Sequence, residues 1–140
     1  MARTGLLILM TQICMITDLL YGKIWNVVVF AGAAAGLTLR AAAEGPEGMR
    51  EALTIAVAVF ALLCPLWFLT DGKGIGAGDI KLMAAMGTLM SADSLLMTAA
   101  VTFGLAALCG LLRRLAGEKG DLRLAPYAAL GALLSAAGLY

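Results

Sequence analysis

The sequence contains no histidine among its 140 residues. A serine or cysteine nucleophile therefore has no imidazole base to activate it, which excludes Ser-His and Cys-His hydrolysis. Carboxylates and lysines remain as the side chains that can serve as acid and base. If the protein moves protons in a reaction, we expect these groups to carry them.

Cysteine is scarce and scattered. Cys14, Cys64 and Cys109 lie far apart inside apolar segments, and no CxxC pair occurs. Zinc and haem sites need Cys or His ligands at short, characteristic spacings. The sequence therefore predicts three buried thiols, and we expect no metal ion and no other cofactor.

Charge is also low. Charged residues make up 14% of the chain, against about 25% in ordinary soluble domains. The formal net charge is +1, without a long run of one sign, so we expect no nucleic-acid partner. Hydrophobic residues reach 62%, which excludes a water-soluble globular domain and predicts that the chain lies in a lipid bilayer.

The most prominent feature of the sequence is its long apolar runs. A spanning helix needs about 20 mostly apolar residues. The sequence predicts an all-α polytopic membrane bundle of about six helices, forming one domain over residues 1–140. The predicted spans are residues 4–20, 26–43, 52–69, 82–90, 95–112 and 124–140. The fourth is the shortest and follows the polar, glycine-rich segment 70–81, while the polar residues 44–51 are expected to form a connector.

Lysine and arginine are distributed unequally between the two sides of this predicted bundle. The connectors after spans one, three and five hold Lys23, Lys73, Lys81, Arg113, Arg114, Lys119 and Arg123. The opposite side holds Arg3, Arg40 and Arg50. The positive-inside rule places the richer side in the cytoplasm and both termini on the other side. An aromatic belt is predicted at the cytoplasmic level from Tyr21, Trp25, Trp67 and Phe68.

Two aspartates lie within or against apolar segments: Asp18 near the end of the first span and Asp79 at the start of the fourth. An ionisable residue inside a membrane costs about 2.5 to 3.5 kcal/mol on insertion scales, so it usually faces a protein interior and has a function. The predicted orientation puts both aspartates near the cytoplasmic surface, which suggests a pair. Two close carboxyl groups in a low dielectric share one proton. Such a pair can hydrolyse an amide, because one carboxylate takes a proton from water while the other carboxyl protonates the leaving nitrogen.

Glycines precede the second aspartate in the sequence Gly76-Ala77-Gly78-Asp79. Because glycine has no Cβ, we expect the backbone to turn tightly here and an extended peptide to approach closely. We also expect the glycine-rich segment 72–78 to be mobile enough to admit a substrate.

The sequence resembles the type IV prepilin leader peptidases, which are membrane aspartic proteases of the GxGD type. Residues 76–87, GAGDIKLMAAMG, are similar to the second active-site stretch of that family. Asp18 followed by Ile24-Trp25-Asn26 is similar to the first stretch. Residues 124–132, LAPYAALGA, are similar to the start of the last helix, so the resemblance extends over the whole chain.

The resemblance implies a membrane-embedded aspartic endopeptidase with Asp18 and Asp79 as its catalytic pair. It also implies supporting or substrate-binding roles for Gly76, Gly78, Lys81 and Asn26. The implied substrate is a prepilin or pseudopilin of a type IV pilus or a protein secretion system. Its basic leader would be cut at the cytoplasmic face of the bacterial inner membrane.

The chain departs from the family pattern at two points. Trp25 stands where the family usually has proline, so we expect a differently shaped turn after the first span. Longer relatives have an amino-terminal extension with paired cysteines and also methylate the new N-terminus. The first span here begins almost at Met1, so we expect no methyltransferase activity. In this respect the chain is similar to the short peptidases of Flp-type, tight-adherence pili.

Other interpretations of the same residues stay open. Asp18 can be a helix-end acid that faces headgroup water or pairs with Lys23, and Asp79 can cap a helix. Lys81 either acts on the substrate or on Asp79, or merely extends to the membrane interface. A small proton-coupled transporter could also use Asp18 and Asp79, although transporters place such acids near the middle of a span. An inactive assembly factor of a pilus or secretion system is a further alternative.

Overall fold

A computed structural model of the chain describes residues 1–71, 75–117 and 123–139. These residues form five α-helices and no strand. In chain order the helices are α1 (Ala2–Tyr21), α2 (Asn26–Leu69), α3 (Ala77–Leu89), α4 (Ala92–Leu115) and α5 (Ala125–Ala136). The prediction of an all-α membrane bundle is confirmed.

The second helix, α2, is 44 residues long and is broken at Gly45. Gly45 has φ of 71° and ψ of −160°, a conformation that favours a residue without a Cβ. Pro46 begins the second half, where its fixed φ suits the first position of a helix and its missing N–H leaves nothing unpaired. The described chain therefore has six helical segments, which agrees with the prediction of about six.

The polar residues 44–51, predicted to be a connector, are helical except at Gly45. Ion pairs run along this stretch: Nη1 of Arg40 lies 3.6 Å from Oε2 of Glu44 and 3.1 Å from Oε2 of Glu51. These pairs bridge the break between the two halves of α2. The break between the second and third predicted spans thus lies inside the predicted connector, at Gly45, but the connector is shorter than predicted because the ion-paired side chains on either side of it are helical.

The third helix, α3, lies at the centre of the bundle and contacts α1, α2, α4 and α5. Eight of its 13 residues are buried, among them Leu82, Met83 and Met86. A helix that other helices surround has no stripe facing solvent or lipid, so it can be apolar on every side and still be short. This position explains why the fourth predicted span had the shortest apolar run.

The outer surface of the bundle is apolar. Helices α1, α2 and α4 are each long and apolar enough to cross a membrane. Leu20, Leu62 and Leu96 on these helices are 70%, 71% and 67% exposed. Apolar surface of this extent is stable in lipid and not in water. The protein is therefore an integral membrane protein.

Two glycines in the first half of α2 let neighbouring helices approach closely. Gly32 packs against Met10 of α1, and Gly36 packs against Thr88 and Leu89 of α3. Their spacing of four residues places both on one side of α2, as in the small-xxx-small pattern of membrane helices. This side of α2 therefore meets both α1 and α3.

Alanine at Gly36 should destabilise the bundle. A Cβ at this position would overlap the hydroxyl of Thr88 and lie 3.0 Å from the Leu89 side chain. Thr88 is held in place because its hydroxyl donates to the Ala85 carbonyl at 2.8 Å. We expect Gly36→Ala to lower the free energy of unfolding by about 1 to 3 kcal/mol, measured by unfolding in detergent micelles.

The matched control for this prediction is Gly104→Ala in α4, where a Cβ would meet no described atom of another helix within 4 Å. Alanine is the better helix former, so this variant should be as stable as the parent or more stable by up to about 1 kcal/mol. Equal effects of the two substitutions would contradict close packing between α2 and α3.

Candidate active site

A cleft of about 340 Å³ opens at one end of the bundle. Its walls come from the end of α1, the turn into α2 and the start of α3. The lining residues are Asp18, Gly22, Lys23, Ile24, Asn26, Gly76, Ala77, Gly78, Asp79 and Lys81. All six site residues predicted from the sequence are among them. They converge because α3 packs against both α1 and α2.

Asp18 lies in the last turn of α1 and is only 8% exposed. The helix ends three residues later, where Gly22 adopts the left-handed conformation (φ 63°) and its N–H donates to the Asp18 carbonyl at 2.9 Å. The carboxylate oxygen Oδ2 is buried and has no hydrogen-bond partner among the described residues. Among the residues that the structure describes, Asp18 and Lys23 do not form an ion pair.

Asp79 is the third residue of α3, after the N-cap Gly76. Its carboxylate turns back toward the helix start and accepts a hydrogen bond from the Gly76 backbone. An acid at this position commonly stabilises a helix N-terminus in the same way. Asp79 therefore stabilises the start of α3 from within its first turn, whereas the N-cap position that one alternative gave it belongs to Gly76. Asp79 also lines the cleft with Asp18, and the two carboxylates are close enough to interact electrostatically.

Lys81 and Asn26 connect two walls of the cleft. The Lys81 ammonium donates to the side-chain oxygen of Asn26 at 3.3 Å, which joins the first residue of α2 to the start of α3. This contact lies beside Asp79 along the rim of the cleft. Both alternatives for Lys81 stay open, because this exposed contact is compatible with each.

The two glycines before Asp79 are important because they have no Cβ, which leaves space for the side chains next to them. Gly76 has φ of −69° and ψ of 143°, and Gly78 lies within the first turn of α3, so neither needs the left-handed conformation. The expected tight turn is the first turn of α3, in which the Asp79 N–H donates to the Gly76 carbonyl at 3.0 Å. A Cβ on Gly78 would lie 3.3 Å from Ile24, so its absence lets α3 pack on the turn after α1. Of the predicted mobile segment 72–78, residues 72–74 lie outside the described residues.

Alanine at Gly76 should displace the Asp79 carboxylate without unfolding the protein. A Cβ there would lie 3.0 Å from Oδ2 of Asp79 and 3.8 Å from its Cγ, so the carboxylate must move by a few tenths of an ångström. If Asp79 has the catalytic role that the resemblance implies, kcat for peptide cleavage should fall by about tenfold, because small misplacements of a reacting group are costly. Gly104→Ala serves as the control and should retain full activity, and the unfolding midpoint of Gly76→Ala should stay near that of the parent.

Arg123 also lies at this end of the bundle, although the sequence did not identify it as a candidate site residue. It precedes α5, and its guanidinium donates a hydrogen bond to the carbonyl of Leu19 in the last turn of α1. The two partners lie 104 residues apart in the chain, so no local pattern indicates the contact. The sequence had identified Arg123 only as one of the cations that set the orientation.

The model of the type IV leader peptidase family matches residues 5–112 of the chain, which is well over half of its length. The chain belongs to this family. The suspected resemblance is thereby confirmed. A search of curated proteins found no match, and neither did a search of solved structures.

The leader peptidase match includes Asp18 and the whole stretch 76–87 but ends before α5. The similarity of residues 124–132 to the last helix of the family therefore stays a prediction. Among the described residues, no three His, Cys, Asp or Glu side chains cluster closely enough to hold a metal ion. Among the residues that line the cleft, the side chains that can exchange protons are the carboxyl groups of Asp18 and Asp79 and the ammonium groups of Lys23 and Lys81.

Trp25, which replaces the usual proline of the leader peptidases, is the N-cap residue of α2 with φ of −74° and ψ of 116°. This φ lies within the range that a proline ring imposes, about −65 ± 15°. Proline could therefore also adopt the φ of Trp25, and the expected difference in the shape of the turn stays a prediction. The indole stacks on Tyr21 with ring centroids 5.9 Å apart, which gives the turn an aromatic contact between α1 and α2.

Proposed function

We propose that the protein is a membrane-embedded aspartic endopeptidase of the GxGD class that removes the basic leader from prepilins or pseudopilins. The observation that carries this proposal is the meeting of Asp18 from α1 and Asp79 from α3 in one open cleft. Membership of the type IV leader peptidase family supports the substrate class. Asp18 and Asp79 are the proposed catalytic residues, within a single peptidase domain over residues 1–140.

The proposed reaction uses one proton shared by the two carboxyl groups. The ionised carboxylate accepts a proton from a water molecule, and the resulting hydroxide attacks the scissile carbonyl carbon. The protonated carboxyl donates its proton to the amide nitrogen, so the C–N bond breaks and a carboxylic acid and an amine are released. The pair ends with one proton, as it began, and no covalent enzyme intermediate forms.

Asn26 and Lys81 are proposed to orient the substrate backbone at the rim of the cleft. Lys81 has donors beyond the one that it gives to Asn26, and the amide of Asn26 can both donate and accept. An extended leader peptide lying over Gly76 and Gly78 meets no side chain from these two positions, so it can approach Asp79 closely. In this proposal Gly76 and Gly78 take the supporting role that the resemblance implies.

The proposed location is the bacterial inner membrane with the cleft facing the cytoplasm. Lys23, Lys81 and Arg123 lie at the cleft end of the bundle, whereas Arg3 and Arg40 line a cavity at the other end. This distribution follows the positive-inside rule. The reaction proposed is peptide cleavage without methyl transfer, in support of either a type IV pilus or a protein secretion system.

Cleavage by the purified protein tests the proposal. The chain is reconstituted into liposomes with a candidate prepilin, and mass spectrometry identifies the products; protein-free liposomes are the control. We expect two fragments, a basic leader and a mature pilin. Intact prepilin after prolonged incubation, together with proton uptake by the liposomes, would instead support a transporter. The position of both aspartates near helix ends, and not at mid-helix, favours the peptidase.

The orientation is tested by labelling. A Lys23→Cys variant is treated with a membrane-impermeant maleimide, and the unchanged chain controls for the three natural cysteines. Labelling in inverted membrane vesicles but not in intact cells is expected. The opposite pattern would place the cleft outside the cytoplasm.

A further inference from the structure

A cavity of about 580 Å³ opens at the end of the bundle opposite the cleft. Its walls come from the starts of α1 and α4, the ends of α3 and α5, and both sides of the break in α2. Membrane-spanning helices begin and end where the hydrocarbon core of the bilayer meets the lipid headgroups. The volume lies within the range of about 300 to 1,000 Å³ that is typical of small-ligand sites. The cavity can therefore hold a polar group at the level of the headgroups.

Arg40 is an almost fully buried cation in the wall of this cavity. Its Nη2 donates to the Met90 carbonyl at 2.8 Å, and its Nη1 lies 3.1 Å from Oε2 of Glu51. Its Nε is buried and has no hydrogen-bond partner among the residues that the structure describes. Buried donors in folded proteins nearly always have an acceptor. The guanidinium therefore indicates a ligand with acceptor oxygens.

Other groups in the wall also favour an anionic group. Arg3 is about one-third exposed and lies 2.6 Å from Glu44, and an arginine has further N–H donors beyond those in one ion pair. The hydroxyls of Ser91 and Ser94 lie at the start of α4, where the positive end of a helix dipole attracts anions. Arginines and a helix N-terminus are the usual partners of a phosphate group.

The charges around the cavity are separated in space. Its two arginines are matched by Glu44 and Glu51, so the cavity as a whole does not favour a lone anion. These two glutamates also line an adjoining cavity of about 480 Å³, together with Glu47 and Arg50. Acidic residues are in excess there, whereas the arginines, the serine hydroxyls and the start of α4 surround the first cavity. Such a distribution is complementary to a ligand with a phosphate at one end and a cation at the other.

We propose that the two adjoining cavities bind the headgroup of a zwitterionic phospholipid that has a phosphate and a primary ammonium, such as phosphatidylethanolamine. The phosphate contacts Arg3 and the start of α4, beside Arg40. The ammonium, with three N–H donors, contacts Glu47 and Glu51. The lipid comes from the membrane leaflet opposite the cleft, and the site does not depend on the proposed peptidase function.

The test measures which lipid the full chain retains. The protein is purified in micelles that contain equal amounts of phosphatidylethanolamine, phosphatidylcholine and phosphatidylglycerol with the same acyl chains, and native mass spectrometry counts the bound lipids. Phosphatidylcholine has a cation without an N–H donor, and phosphatidylglycerol has no cation. We expect phosphatidylethanolamine to be retained about fivefold more than either of the others. Equal retention of all three lipids, or a preference for phosphatidylglycerol, would overturn the proposal.

Two variants test the two ends of the site. Arg3→Gln should lower retention of phosphatidylethanolamine about fivefold, since a cation near the membrane surface contributes about 1 kcal/mol to lipid binding. Its ion pair with Glu44 is partly exposed, so the unfolding midpoint should stay near that of the parent. Glu47→Gln removes an acid that lines the adjoining cavity, and it should shift the preference from phosphatidylethanolamine toward phosphatidylglycerol.

Arg114→Gln is the matched control, because it removes an exposed arginine from the other end of α4 and should leave lipid retention unchanged. An equal loss of retention in Arg114→Gln and Arg3→Gln would mean that the lipid responds only to the total charge of the protein, which would refute the site. Retention like that of the parent in both Arg3→Gln and Glu47→Gln would also refute it.

Discussion

Replacement of either Asp18 or Asp79 by asparagine should reduce prepilin cleavage by about a thousandfold or more. Asparagine has nearly the same shape as aspartate, but it can neither accept the proton of the attacking water nor donate one to the leaving nitrogen. General acid or base catalysis by one group contributes about 10² to 10⁴ in rate, and the pair acts as a unit. The measurement is kcat/KM in liposomes at equal amounts of folded protein.

The double variant distinguishes a catalytic pair from two independent acids. If the carboxyl groups share one proton, removing the second costs little once the first is gone, so the double variant should be about as inactive as each single one. Asp93→Asn is the control, because Asp93 lies in the first turn of α4, away from the cleft, and should keep full activity. Substantial cleavage by Asp18→Asn or Asp79→Asn would refute the aspartic mechanism.

Replacement of Arg40 by methionine should have the largest effect on stability among the substitutions considered. Arg40 is 3% exposed and lies at the end of the bundle opposite the cleft. Its Nη2 donates to the Met90 carbonyl at 2.8 Å, where α3 ends, and its Nη1 faces Glu44 and Glu51. One buried cation thus holds together both halves of α2 and the junction of α3 with α4.

Methionine approximates the length of Arg40 without its charge or donors. The substitution leaves the buried Met90 carbonyl unpaired, and hydrogen bonds to charged groups contribute about 1.5 to 3 kcal/mol each. The glutamate partners are at least one-third exposed, so their ion pairs add little to this. We therefore expect the free energy of unfolding to fall by about 1.5 to 3 kcal/mol, measured by denaturant titration in mixed micelles.

Arg50→Met tests whether this effect requires burial. Arg50 belongs to the same helix but is exposed, so its replacement should change stability by less than about 0.5 kcal/mol. The fraction of Arg40→Met that stays folded should cleave prepilin at the parent rate, because Arg40 lies far from the cleft. Equal stability of the two variants would refute the structural role assigned to Arg40.

The cavity around Arg40, about 580 Å³, is larger than the cleft around the aspartates. Its two arginines are opposed by Glu44 and Glu51, so its charges are already balanced within the protein. The smaller cleft instead brings two carboxylates together beside an open rim. We therefore place the proposed reaction in the smaller cavity, although size alone would favour the other.

Much of this protein could be predicted from local patterns. Apolar runs of helical length predicted the bundle, and an ionisable residue within such a run drew attention to Asp18 and Asp79. The failures came where residues depend on distant partners. Residues 44–51 look like a loop in isolation, but Arg40 pairs with Glu44 and Glu51 along a helix. Gly76 and Gly78 predicted a tight turn, but no local pattern indicates that Ile24, from the turn after α1, packs against Gly78.

The sequence by itself determined the lipid environment, the all-helical architecture, the absence of histidine chemistry and the two candidate carboxylates. These properties follow from composition and from hydrogen bonds that close within each helix. Only the tertiary structure decided that α3 lies at the centre, that Asp18 and Asp79 line the same cleft, and that Arg123 contacts the end of α1. Such contacts join residues far apart in the chain, and their geometry depends on how whole helices pack, which no local pattern of side chains specifies.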